Sequence, residues 1–243
     1  MNIFFSNLPV SLSVDDPRYI DCARTSVCGD IKSITYPFWG IDRAEHCGHP
    51  DFKLKCQNDL LEIEIQSQNY RVISMNTSDR ILRIATMSYC TSLSISGDYH
   101  LFYYYTPTTQ SLTLFNNCPL VQGLNTTDKF NCSINANATN NYFWIDYTPE
   151  TAPFPNLIQC QVKITVPVLR HLVNLTLHGF NKSSLSLDEV LRMGFDVEYV
   201  MDVSECKSCK SSGGECGYDV KAGQPTCFCR DSRQYQGRCS TQP

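Results

Sequence analysis

Fourteen cysteines in a chain of 243 residues constrain this sequence more than any other feature. The count is even, so in an oxidising compartment all of Cys22, Cys28, Cys47, Cys56, Cys90, Cys118, Cys132, Cys160, Cys206, Cys209, Cys216, Cys227, Cys229 and Cys239 can pair. Each bridge restricts the unfolded chain and stabilises by roughly 2–4 kcal/mol, which offsets small cores and loop-rich architecture. Spacing alone does not fix the partners, because fourteen cysteines allow on the order of 10⁵ connectivities.

Passage through the secretory route is the second expectation. Six Asn-x-Ser/Thr triplets, at Asn76, Asn125, Asn131, Asn137, Asn174 and Asn181, place those asparagines on exposed loops or strand edges. Cys132 is the middle residue of the Asn131 triplet, where a disulfide hinders modification. Residues 1–14 begin like an apolar leader but have no basic start and no clear cleavage site, so they read either as a truncated leader or as a faulty start. No run approaches the roughly 18 apolar residues of a membrane span, and the chain as written carries no anchor of its own.

Charge and motifs exclude several classes of function. A net charge of −4 without a long block of either sign argues against nucleic acid, and an anionic partner must meet a local cationic patch. The chain contains no Gly-x-Ser-x-Gly elbow, His-Glu-x-x-His pair, phosphate-cradling loop or kinase signature, so no catalytic residue and no cofactor are expected. The pairs Asp146/Glu150 and Asp188/Glu189 are merely near in sequence, and the second suits the first turn of a helix. His46-Cys47-Gly48-His49 and the Cys206-x-x-Cys209 cluster have metal-like spacings, but the compartment favours disulfides and five clustered cysteines overfill a tetrahedral site. No metal is expected.

Period-two alternation dominates the rest. Leu61–Ile65, Ile81–Ile84, Tyr99–Tyr105, Leu112–Leu114, Tyr142–Tyr147 and Ile158–Val166 read as short antiparallel strands separated by Asn, Gly, Ser and Pro clusters. One helix is expected near 187–193, where Ser186-Leu187-Asp188-Glu189 is a capping box and Gly194 a stop. The polar stretch Asn116–Asn141 marks the domain junction. The fold class is therefore mostly β, a disulfide-rich two-domain ectodomain with domains at 15–120 and 121–243.

Tyr36-Pro37-Phe38-Trp39-Gly40, followed by Cys47-Gly48-His49-Pro50-Asp51-Phe52 and Leu54-Lys55-Cys56, resembles the galacturonan-binding ectodomain of plant wall-associated receptor kinases. The resemblance is closer to the leaf-rust-resistance-locus receptor-like kinases. Gly194-Phe195, Cys206-x-x-Cys209, Ser212-Gly213-Gly214-x-Cys216-Gly217-Tyr218 and Cys227-x-Cys229 resemble the C-terminal domain of the same receptors. The resemblance implies an extracellular or cell-surface protein of the plant cell wall, whose parent receptors carry a membrane span and a kinase domain. Residues 206–239 also resemble an EGF-like module, which implies pairing of Cys206 with Cys216, Cys209 with Cys227 and Cys229 with Cys239.

The resemblance also implies a ligand, a pectin-type polysaccharide such as polygalacturonate. Sugar rings stack on flat aromatic side chains, and uronate carboxylates accept charge-assisted hydrogen bonds from cationic ones. Tyr36, Phe38 and Trp39 are the candidate platform, and Lys32, Arg43, His46, His49, Lys53 and Lys55 the candidate cations. The alternative is a buried Tyr-Pro-Phe-Trp turn that packs the disulfides, with Asp30, Asp42, Glu45 and Asp51 neutralising the bases. Lys53 and Lys55 alternate with Phe52, Leu54 and Cys56, which turns both lysines outward. The rival partner is a secreted peptide or a co-receptor, with or without a role as a soluble decoy.

Overall fold

The computed structural model describes residues 15–87, 103–120, 129–130, 140–145, 157, 159–176, 185–231 and 234–239. The leader-like residues 1–14, Cys90, Cys132, Asp146, Glu150, Asn125, Asn131, Asn137 and Asn181 lie outside them, as does the side chain of Asn174. The architecture is mostly β, with antiparallel sheets and short helices. The described residues contain six disulfides, Cys22–Cys47, Cys28–Cys56, Cys118–Cys160, Cys206–Cys216, Cys209–Cys227 and Cys229–Cys239. The last three are the pairs that the EGF-like resemblance implies.

Among the described residues four α-helices occur, not one: α1 Pro17–Ala23, α2 Arg170–Thr176, α3 Leu187–Met193 and α4 Ser204–Ser211. Helix α3 is the expected one. Both halves of its capping box form between Ser186 and Glu189, and Gly194 closes it at φ 73°. Helix α1 starts where the Asp16 carboxylate accepts the Arg18 N–H at 2.7 Å, with Pro17 in the first turn. Helix α2 runs straight on from an apolar strand, so no polar break announces it. Helix α4 has the apolar Val203 at its N-cap, with the Asp202 carboxylate accepting the Ser204 N–H at 2.8 Å, and carries Cys206 and Cys209 at a spacing that reads first as a disulfide pattern.

The chain forms two compact units that are not the contiguous domains 15–120 and 121–243. One is built from Cys28–Ile31 and Cys56–Met201, the other from residues up to Val27, Lys32–Lys55 and Asp202 onward. In the first unit, Phe195–Tyr199 pairs antiparallel with Ile81–Thr86 on one side and Tyr103–Tyr105 on the other. A strand late in the chain thus completes a sheet of early strands, which an assignment of contiguous domains misses. Gln68–Asn76 and Leu60–Ile65 extend that sheet, with Leu61, Ile63, Tyr70 and Val72 inward and Glu62, Glu64 and Arg71 alternating with them.

A second sheet has Thr109–Cys118 at its centre, flanked by Asn140–Ile145 and Val162–Leu169. Leu112, Leu114, Ile164, Val166 and Val168 pack there against Leu172 and Val173 of α2 and Leu187, Val190 and Leu191 of α3. Ile158, where that strand is expected to start, lies outside the described residues, and the strand begins at Val162. Ahead of it, Cys160 donates its N–H to Leu157 O in a turn and is bonded to Cys118. Pro167 is tolerated because its strand lies at the edge of the sheet.

The other unit joins α1, α4 and a small sheet of Glu215–Asp219, Gln224–Phe228 and Gln234–Tyr235 to the aromatic, cysteine-rich segment 32–55. Tyr36 packs among Cys209, Cys216, Cys227, Cys229 and Cys239. Phe228 packs against the Cys22–Cys47 bridge, and the Asp16 N–H donates to Arg230 O at 3.1 Å. Sulfur and aromatic rings make up most of this core, so it remains small and depends on its bridges.

Candidate functional site

Trp39, Lys53 and Lys55 form one local surface in the sulfur-rich unit. A 3₁₀ turn at Pro50–Phe52 feeds into the strand Lys53–Gln57, in which Lys53 and Lys55 are exposed and Leu54 is buried. Trp39–Gly40 runs parallel to it, with Trp39 opposite Lys53 and Gly40 opposite Leu54. Gly40 holds φ 93°, and a Cβ there would lie 2.2 Å from Leu54 O, so only glycine lets the two strands meet. The half-buried indole of Trp39 donates its Nε1–H to His49 O at 2.8 Å, which fixes the direction of the ring. Lys53 Nζ stands 4.8 Å from the ring centroid in a cation–π contact. Lys55 follows two residues on, about 7 Å along the same strand face.

The remaining candidates are framework. Tyr36 is only 9% exposed, and burial, followed by the negative field of Tyr218, Glu205 and Asp202, pushes its hydroxyl up to about 12. Phe38 is fully buried, edge-on to Phe52 at 5.5 Å. Arg43, 4% exposed, spends its guanidinium on backbone carbonyls and has no room for a ligand. His49, 9% exposed, accepts the Asp51 N–H at its Nδ1 and packs edge-on against Tyr218 at 4.6 Å. Burial therefore removes Tyr36, Arg43 and His49 from the candidate ligand face. Lys32 is exposed on the strand Ile31–Ile34. The importance of Gly40 is not visible from its residue type alone.

His46 lies in the same unit, its ring edge-on to Phe228 at 5.5 Å and its Nε2 3.8 Å from Asp21. Burial lowers its pKa below the ordinary 6.5. Asp21 and Asp16 pull the other way, and Arg18 and Arg43 add to the lowering. The folded state thus prefers neutral imidazole, and the unfolded chain takes up the proton more readily. The stability contributed is complete above about pH 6.5 and is lost as pH falls through the depressed folded value. Denaturant titrations between about pH 7.5 and 5.5 will show stability falling with acid in the wild type, with a shallower slope in His46→Gln. Equal slopes in the two proteins would exclude His46 as the source.

The metal-like clusters carry oxidised sulfur. Cys22, His46 and Cys47 lie close together, as do Cys227, Cys229 and Cys239, but every cysteine in both groups is in a disulfide and offers no thiolate. Asp188 and Glu189 serve α3, the first paired with Arg192 at 2.6 Å and the second capping Ser186. Of the glycosylation acceptors, Asn76 is exposed at the end of its strand, in a turn where its Oδ1 accepts the Asp79 N–H at 3.0 Å. Asn174 falls within α2. No helix among the described residues is long and apolar enough to cross a membrane.

Residues 22–86 match the family model described as wall-associated receptor kinase galacturonan-binding, and residues 131–232 match that described as wall-associated receptor kinase C-terminal. Among curated proteins, the chain is 29% identical to leaf rust 10 disease-resistance locus receptor-like protein kinase-like 2.1 of Arabidopsis thaliana, over 90% of this chain and 35% of the relative. It is 27% identical to the kinase-like 2.8 protein of the same plant, over 94% of this chain and 26% of the relative. The kinase-like 1.3 protein is also 27% identical, over 96% and 32%. The chain thus spans about a third of the length of these relatives. No solved structure matches it.

Proposed function

We propose, on the premise that this chain belongs to the family of wall-associated receptor kinase galacturonan-binding ectodomains, that it grips acidic cell-wall polysaccharide of the pectin type. In this reading it works outside the cell as the sensing part of a receptor and leaves its ligand chemically unchanged. One observation carries the reading: a tethered, half-buried indole with an ammonium over its face and a second ammonium along the same strand. Trp39 offers a stacking surface for a sugar ring, and Lys53 and Lys55 offer charge-assisted hydrogen bonds to uronate carboxylates. Because the chain as a whole is acidic, attraction to a polyanion is local and short-ranged.

The test is retention of the folded, oxidised protein on immobilised polygalacturonate. Retention is expected at about 0.1 M salt and should fall steeply towards 1 M, as the Debye length shrinks from about 10 Å to about 3 Å. The double variant Lys53→Glu/Lys55→Glu should bind at least about tenfold more weakly while still unfolding cooperatively, its thermal midpoint lowered by no more than the loss of exposed contacts such as that of Lys53 over Trp39. Failure of the folded wild type to bind polygalacturonate at any salt would overturn the assignment and leave the peptide or co-receptor reading.

A further inference from the structure

We propose that Lys53 makes the site selective for free carboxylates by acting as a displaceable cover on Trp39, an inference that rests on the polysaccharide reading above. The indole is half-buried, so the ring area open to a ligand is limited, and the solvent-exposed ammonium of Lys53 sits over it at 4.8 Å. The ring has little freedom to turn away, because its Nε1–H is committed to His49 O and its backbone is locked opposite Lys53 through Gly40. A sugar stacks on this face only after the ammonium has moved.

Uncovering the ring has a different consequence for each ligand. A neutral sugar forfeits the cation–π contact and offers nothing comparable, which weakens its binding about two- to fivefold. A uronate accepts the displaced ammonium at its carboxylate, so one movement bares the ring and forms an ion-paired hydrogen bond. Lys53 therefore penalises uncharged chains and rewards charged ones. Lys55 adds attraction alone, since the contact over Trp39 belongs to Lys53. No covalent bond is made or broken, and the selectivity is a difference between two affinities.

The experiment measures binding of polygalacturonate and of its fully methyl-esterified form to wild type, Lys53→Gln and Lys55→Gln, with thermal midpoints as a check on folding. Wild type should prefer the free acid. Lys53→Gln should bind the acid about fivefold more weakly and the ester about two- to fivefold more tightly than wild type does. Lys55→Gln should weaken acid binding without strengthening ester binding. If wild type binds the acid but Lys53→Gln gains nothing on the ester, the cover is refuted and the polysaccharide reading stands. If wild type binds neither polymer, the polysaccharide reading itself fails.

Discussion

Arg43→Met is expected to lose about 3–5 kcal/mol of stability, enough to leave the sulfur-rich unit unfolded under mild conditions. The guanidinium donates from Nε to Phe38 O at 3.2 Å and from Nη2 to Cys47 O at 3.1 Å. From Nη1 it donates to Cys22 O at 3.1 Å and to Arg24 O. Those carbonyls belong to the end of α1, the segment after it, the aromatic turn and the 3₁₀ turn at Glu45–Cys47, so one side chain knits four backbone segments together. Methionine fills similar space but leaves buried acceptors unpaired, each costing roughly 1–3 kcal/mol. Arg43→Lys should restore only part of the loss, because a single ammonium cannot span acceptors that a planar fork reaches. Chemical denaturation with intact disulfides is the measurement, and a loss below about 1 kcal/mol in Arg43→Met would contradict this account.

Gly214→Ala should also be damaging in the same unit. A Cβ at this position would lie 2.5 Å from Cys227 Sγ, 2.7 Å from Cys239 Sγ and 2.8 Å from Cys209 Sγ. Two bridges, Cys209–Cys227 and Cys229–Cys239, pass each other there, and the missing side chain is the space they use. Disulfide sulfurs are tied at both ends and cannot swing aside like the tip of a lysine, so the added methyl must displace a bridge or the backbone. Overpacking of this kind costs about 1–3 kcal/mol or more. During oxidative folding it should divert the chain into mispaired isomers. Peptide mapping will show this as a lower yield of the 209–227 and 229–239 pairs, whereas Gly213→Ala, whose Cβ meets nothing within 4 Å, should form the bridges normally despite its φ of 80°. Native bridging in Gly214→Ala at wild-type yield would dispose of the crowding argument.

What could be read in advance was local. The outward turn of Lys53 and Lys55 followed from alternation with Phe52 and Leu54, and α3 followed from a cap at Ser186 and a stop at Gly194. The burial of Arg43 and His49 was not legible, because the Cys22 and Arg24 carbonyls that complete the shell of one and the Tyr218 ring beside the other arrive from farther along the chain. A basic side chain in a polar segment looks the same whether it faces water or a ring of carbonyls. The unit boundaries were hidden for the same reason, since pairing of Phe195 with Ile84 leaves no mark on either neighbourhood. Bridge partners in the tail became available through resemblance to a known module, while the spacing itself left them open.

The interleaving of early and late segments bears on how such a protein can be handled and inherited. The stretch matched as galacturonan-binding, residues 22–86, contributes to both compact units, and so does the stretch matched as C-terminal, residues 131–232. Neither is a cassette. A cut between them strands half of two cores, and a gene rearrangement that swaps one stretch for a foreign counterpart asks the newcomer to fit a partner it did not evolve beside.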